Sequence, residues 1–232
     1  SWKHQPATKE QQRLIKELIN DFPDSAQSFE YQDYFAAQTK STASEFISRT
    51  IEDNVDLIGK RENYVSYIAK RPRAERHGTH GLFTDADVPI NLSQVAAEVA
   101  NHDGNVWTHI ISLRREDAAR LGYDNAYAWR NLLRSQAETI AENMKIPLTD
   151  LKWYAAYHDE SYHPHVHMVV YSTGKEPYLT KQGIRNLKAA FAKQIFRHDL
   201  LQVYVEQTNQ RNELTGRSRN ILSDIIARIK SQ

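Results

Sequence analysis

The feature that most constrains this chain is a ten-residue stretch, His158-Asp-Glu-Ser-Tyr-His163-Pro-His165-Val-His167, which holds four of its ten histidines. Met168-Val-Val-Tyr-Ser172 follows, apolar and partly β-branched, the composition of a strand. Side chains alternate along a strand, so His165 and His167 share a face. Leu151-Lys-Trp-Tyr-Ala-Ala-Tyr157 also reads as a strand, and the polar, proline-containing segment from Asp159 to Pro164 turns the chain back. The hairpin returns His158 to the neighbourhood of the pair. Three imidazoles then converge on one point and leave room for ligands that are not protein. Nitrogen donors of this kind suit zinc, manganese, iron, cobalt or nickel. An open coordination position is what a catalytic metal requires. His163 lies out of phase with the pair and reads as a loop residue rather than a metal ligand.

Composition sets the frame. The 232 residues suffice for one large domain or two small ones, and 40% hydrophobic with 25% charged residues is ordinary globular content. No apolar run approaches the ~20 residues of a membrane span, and the N-terminus has no signal-peptide pattern. With no cysteine, disulfides and thiolate ligands are excluded, which fits a reducing cytoplasm. A net charge of +1 argues against a uniformly basic nucleic-acid binder. The distribution is uneven, however. Lys60, Arg61, Lys70, Arg71, Arg73 and Arg76 cluster within 17 residues, and Arg211, Arg217 and Arg219 form a second basic stretch. Such clusters can neutralise phosphates on an otherwise balanced surface, or simply form a solvated face.

Taken in order, the chain predicts a helix from a Thr8–Gln11 capping box to about Asp21, and a second opened by Thr42-x-x-Glu45. Arg61 to Lys70 reads as a short helix stopped by Pro72. Residues 73–87, with His77 and His80, read as a loop holding a short strand near 79–84. Asn91-x-x-Gln94 caps a helix through Ala100. Val106 to Leu113 alternates as a strand, and His109 on it can face either side of a sheet. Ala118 to Leu121 looks helical, Asn125 to Lys145 reads as one long helix, and Thr180 opens another. A last helical stretch covers Ile221 to Ile229. Strands and helices together predict an α/β fold with a central antiparallel sheet and the histidine hairpin near its middle. The predicted divisions are an N-terminal helical extension (1–58), a core (59–215) and a C-terminal helix (216–232) that begins a truncated region.

The histidine run resembles the three-histidine motif of the HUH endonucleases, in which two histidines flank an apolar residue on a strand. An upstream histidine followed by an acidic residue, here His158-Asp159, is the form seen in mobilisation relaxases. Pro164-His-Val-His167 and the apolar run after it are similar to the MobP-type relaxases of plasmids and integrative elements. Trp107-Thr-His-Ile-Ile-Ser-Leu-Arg-Arg-Glu-Asp117 and Arg71-Pro-Arg-Ala-Glu-Arg-His-Gly-Thr-His-Gly-Leu-Phe83 look like the MobL-like branch, and the resemblance covers residues 40 to 215.

The resemblance implies a palm-like HUH fold, with one sheet face packed by helices and the other lining a cleft for single-stranded DNA. It implies one divalent metal ion (manganese, magnesium, zinc, cobalt or nickel) on His158, His165 and His167. It also implies a nucleophilic tyrosine on the helix before the motif, Tyr67 with Tyr64 as the alternative, which forms a 5′-phosphotyrosine. Asp159 is expected either to orient His158 or to be a surface carboxylate. Lys70, Arg71, Arg73 and Arg76 are expected along the DNA backbone, Tyr162 and His163 as further DNA contacts, and Trp153 in the core. If no tyrosine serves, His77 and His80 are the next candidates. The implied partners are origin-of-transfer DNA, often beside a hairpin, accessory mobilisation proteins and a type IV secretion coupling protein. The implied location is the bacterial cytoplasm, with passage into a recipient cell. Two alternatives are a rolling-circle replication initiator and a catalytically inactive DNA-binding protein. The initiators often carry their tyrosines after the histidine motif, whereas the candidate pair here precedes it.

Overall fold

A computed structural model describes residues 1–54, 61–70, 73–76, 78, 80–159, 163–195 and 202–207, with main chain only for 61–64 and 202–207. Arg71, His77, Tyr162, the second basic stretch and the expected 221–229 helix lie outside the described residues. The chain divides into two compact units, whose contiguous bodies are Ser1–Lys60 and Arg61–Arg211.

The first unit is helical: α1 (Lys9–Asp21), α2 (Phe29–Ala36) and α3 (Lys40–Asp53). Thr8 caps α1 as the sequence predicts, its side chain accepting from the Gln11 N–H at 3.1 Å. The second cap differs from the prediction. Thr39 caps α3, and Thr42 is its third residue rather than its cap. Ile15, Leu18, Phe22, Tyr34, Phe46 and Ile51 form this unit's core. Arg49 is buried among them, paired with Asp53 at 2.8 Å and Glu30 at 3.3 Å.

The second unit is built on a four-stranded antiparallel sheet of order β2-β3-β1-β4. Its strands are β1 (Trp107–Ser112), β2 (Leu151–His158), β3 (His165–Ser172) and β4 (Gln202–Gln207). The predicted β2–β3 hairpin is present, with His158 opposite His165 and Ala156 opposite His167. β4 was not anticipated; it pairs along the whole of β1. Helices α4 (Arg61–Lys70), α5 (Leu92–Ala100), α6 (Arg115–Leu121), α7 (Ala126–Ser135), α8 (Ala137–Asn143) and α9 (Lys181–Ile195) surround the sheet. The expected long helix over 125–145 breaks into α7 and α8 at Gln136, whose N–H donates to both Leu132 and Leu133 carbonyls.

Register assigns the two faces. Trp107, Ile111, Trp153, Ala155, Tyr157, Val166, Met168 and Val170 share one face and join Trp129, Leu133, Ile140 and Phe191 of α7, α8 and α9 in the main core. The other face carries His158, His165 and His167, and among the described residues two helices reach it. Helix α4 reaches it at Ile68, whose carbonyl meets the His158 ring. Helix α5 reaches it at Glu98, which accepts from the Tyr171 hydroxyl. The apolar residues of α4 (Val65, Ile68, Ala69) and α5 (Val95, Ala96, Val99) are themselves buried.

The expected strand near 79–84 is instead a strip laid along the outer edge of β2. Ala74 bridges His158 and Phe83 bridges Ala155. The Glu75 N–H donates to the Tyr157 carbonyl at 2.9 Å, and the Asp159 N–H to the Arg73 carbonyl at 2.9 Å. An exposed strand edge leaves main-chain donors and acceptors unpaired, and this strip satisfies them.

Candidate metal centre

Alternation on β3 puts His165 and His167 on one face, and the antiparallel register sets His158 beside them. All three are fully buried. Their ring centroids are 5.2 Å (His158–His165), 4.7 Å (His158–His167) and 5.1 Å (His165–His167) apart. One ring nitrogen from each lies within 4.8 Å of those of the others, so the three can hold one metal ion. The main chain prepares two of the donors. His158 Nε2 lies 2.8 Å from the Ile68 carbonyl, and His165 Nδ1 lies 3.2 Å from the His163 carbonyl. A carbonyl only accepts, so each of those nitrogens carries the proton. The lone pair is then left on Nδ1 of His158 and Nε2 of His165, the form a metal ligand needs. A hydrogen bond from the non-ligating nitrogen also fixes ring orientation. Imidazole nitrogens suit borderline divalent ions such as zinc, iron or nickel.

Sequence reasoning missed these two carbonyls, because a main-chain oxygen has no residue signature. His163 was expected to contact DNA. Its side chain is 5% exposed, and the contribution seen is its carbonyl beneath His165. Asp159 was expected either to orient His158 or to be a surface carboxylate. Its carboxylate pairs with Arg115 at 2.9 Å, both groups well exposed.

Tyr67 is half-buried on α4, one residue from the Ile68 carbonyl that holds His158. The Tyr64 main chain lies in α4, and its side chain is outside the described residues. Other tyrosines near the motif are poorly suited to attack. Tyr157 faces the helix-packed side, and burial raises its hydroxyl pKa. Tyr171 is bonded to Glu98, and burial raises it likewise. His80, the fallback nucleophile, accepts from the Leu82 N–H at 3.0 Å and meets the Ile90 carbonyl at 2.9 Å, so both ring nitrogens are committed to the loop. Lys70, Arg73 and Arg76 are exposed. The strip along β2 brings Arg73 and Arg76 to the His158 end of that strand. Trp153 is in the core as expected, edge-on to Phe83 at 6.3 Å. His109 lies on the face opposite the metal centre, buried and with no hydrogen-bond partner for either ring nitrogen among the described residues. Burial pushes its pKa down to about 4.

Among the described residues no helix is long and apolar enough to cross a membrane. No curated protein and no solved structure matches this chain. The family described as MobL relaxases matches residues 2–232. With that match over nearly its whole length, the chain belongs to the MobL relaxases, DNA-nicking enzymes of mobilisation that act at an origin of transfer.

Proposed function

We propose that this relaxase is of the HUH, MobP-like type and nicks single-stranded origin-of-transfer DNA by tyrosine transesterification at the three-histidine centre. The observation that carries this reading is the buried His158–His165–His167 cluster, two of whose rings are oriented by main-chain carbonyls. A divalent ion held there supplies Lewis-acid stabilisation of charge on the scissile phosphate. The chain's own residues do the rest. The Tyr67 phenol oxygen bonds to phosphorus, and the bond from phosphorus to the 3′ oxygen breaks. The phenolic proton ends on the departing 3′-hydroxyl, and a 5′-phosphotyrosine remains. Attack by that hydroxyl in reverse rejoins the strand.

A phenol titrates near ~10, so Tyr67 depends on the electrostatics around it for activation. Lys70, Arg71, Arg73 and Arg76 hold the DNA backbone, and Tyr162 is a further DNA contact. In this reading residues 59–215 form the catalytic core and 1–58 a helical extension. The enzyme works in the bacterial cytoplasm with accessory mobilisation proteins and a coupling protein of a type IV secretion system.

The test is incubation with labelled origin DNA and manganese, followed by a denaturing gel. A covalent adduct is expected and should vanish in Tyr67→Phe, which loses only the hydroxyl, while DNA affinity stays the same. Peptide mass spectrometry placing the nucleotide on Tyr64 would reassign the nucleophile. Cleavage unaffected by either substitution would end the tyrosine mechanism.

A further inference from the structure

Helix α9 buries one side and leaves the other in water. Leu187, Phe191 and Ile195 join the main core, and Gly183 is buried on the same side. The opposite side carries Lys181, Arg185, Lys188 and Lys193, all exposed, and the helix has no acidic residue. At ~3.6 residues per turn the four cations fall within an arc of about 140°, and at ~1.5 Å per residue they extend over about 18 Å of the helix. Four cations and no carboxylate give this helix a charge of +4, against +1 for the whole chain.

The arginines of α6 and α7 are treated differently. Arg115 and Arg120 pair with Asp159 and Asp117, and Arg130 and Arg134 pair with Asp87 and Asp85. No α9 cation has such a pair among the described residues, although the neighbouring α8 carries Glu138 and Glu142. Like charges three and four residues apart on a helix repel, so the arrangement costs stability unless an anion offsets it. Arg185 is also held in position. Its Nε and Nη2 donate to Gln182 Oε1 at 3.3 and 2.7 Å, which leaves Nη1 as the nitrogen presented to an anion.

The make-up of the face selects that anion. Its other exposed side chains are Gln182, Asn186, Ala189 and Gln194. Protein interfaces are enriched in aromatic residues, Met and Arg and depleted of Lys. Surfaces for single-stranded nucleic acid add aromatic rings on which bases stack. This face has three lysines and no aromatic ring, which suits a duplex, whose bases are already stacked and whose phosphates face outward. A duplex carries one negative charge per ~1.7 Å of its axis, ample for four cations spread over about 18 Å.

We infer that the outer face of α9 holds the phosphate backbone of double-stranded DNA through Lys181, Arg185, Lys188 and Lys193. The residues beneath it pack on the sheet face opposite the three histidines, so a duplex held there leaves the metal centre to the single strand. The inference rests on the relaxase reading above and adds to it a second contact, with the duplex that adjoins single-stranded origin DNA.

The experiment is fluorescence anisotropy over a series of salt concentrations, with the full chain and two labelled probes, a blunt duplex and a short single strand. One variant combines Lys181→Gln, Arg185→Gln and Lys188→Gln. Its salt slope on the duplex should be shallower by about two to three units, since each phosphate contact contributes ~0.9. Its binding of the single strand should be unchanged, as should the covalent adduct formed on single-stranded origin DNA with manganese. Gln is as good a helix former as Lys or Arg, so the variant should fold, which circular dichroism would verify. The control changes Lys3, Lys9 and Lys16, three exposed cations of the first unit, to Gln and should keep the original slope. An unchanged slope in the α9 variant, an equal loss on both probes, or the same loss in the control would overturn the inference while leaving the relaxase reading intact. A loss confined to polyglutamate as a third probe would assign the face to an acidic protein and overturn it likewise. Duplex binding that depends on α9, without a covalent adduct, would sustain the inference and end the nicking mechanism. Failure of the unaltered chain to bind either DNA would overturn both.

Discussion

Two main-chain oxygens determine which nitrogen of His158 and of His165 is available to a metal. A neutral imidazole has one proton, and the Ile68 and His163 carbonyls fix where it sits. Removing a ligand should cost more than the 10–100-fold typical of losing an outer partner. His165→Ala is therefore expected to lower manganese affinity about 100-fold or more by titration calorimetry, with helical circular dichroism retained. Unchanged affinity in the folded variant would strike His165 from the ligand set. His109 makes a different prediction, one of stability. Burial lowers its pKa from 6.5 to about 4, so between those values the unfolded chain takes up a proton that the folded chain refuses. This contribution is full above pH 6.5 and is lost as pH falls toward 4, amounting to about 3 kcal/mol. His109→Leu should remove that part of the acid sensitivity, read from urea midpoints at neutral pH and near pH 4. Parallel declines in both proteins would show that His109 is not the titrating group.

Among the elements, the strip of residues 73–76 and 80–84 bears directly on the site. It seals the β2 edge, places Ala74 against His158, and brings Arg73 and Arg76 to the same end. Gly81 is tightly packed within it. The Gly81 N–H donates to the Ala69 carbonyl at 2.8 Å, at the end of α4, and a Cβ there would sit 2.8 Å from the Glu75 oxygen. A main-chain oxygen cannot swing aside as a side chain can. Gly81→Ala should therefore destabilise the second unit by roughly 1–3 kcal/mol, the cost of overpacking. It should also weaken metal binding, because α4 carries the carbonyl that orients His158. Calorimetric unfolding and metal titration together test this, and an unchanged Tm with unchanged metal affinity would show that the strip tolerates the methyl group. Local signals predicted α4, α5 and both strands of the hairpin, since each carries its own cap, proline stop or alternation. They could not predict the strip, whose pairing belongs to β2 rather than to any pattern of its own. Nor did they predict β4, which is defined by its pairing with β1.

At the scale of the whole molecule, a chain of net charge +1 must concentrate its cations to hold DNA. Removing Arg71 and Arg73 together should flatten the salt dependence of DNA binding by about two units of slope, since each phosphate deprived of its cation lowers the slope by about one. An unchanged slope would assign both to the solvated surface. The sequence by itself determined the sheet's central hairpin and the three histidines on one of its faces. That information is local: strand alternation, a proline-containing turn and the spacing of a few residues. Tertiary structure alone decided how that face is covered and which atoms hold the rings. The Ile68 carbonyl is 90 residues from His158, and Glu98 is 73 residues from Tyr171. Contacts over such distances arise from packing α4 and α5 against the sheet, and a main-chain carbonyl is the same group at every position in the sequence.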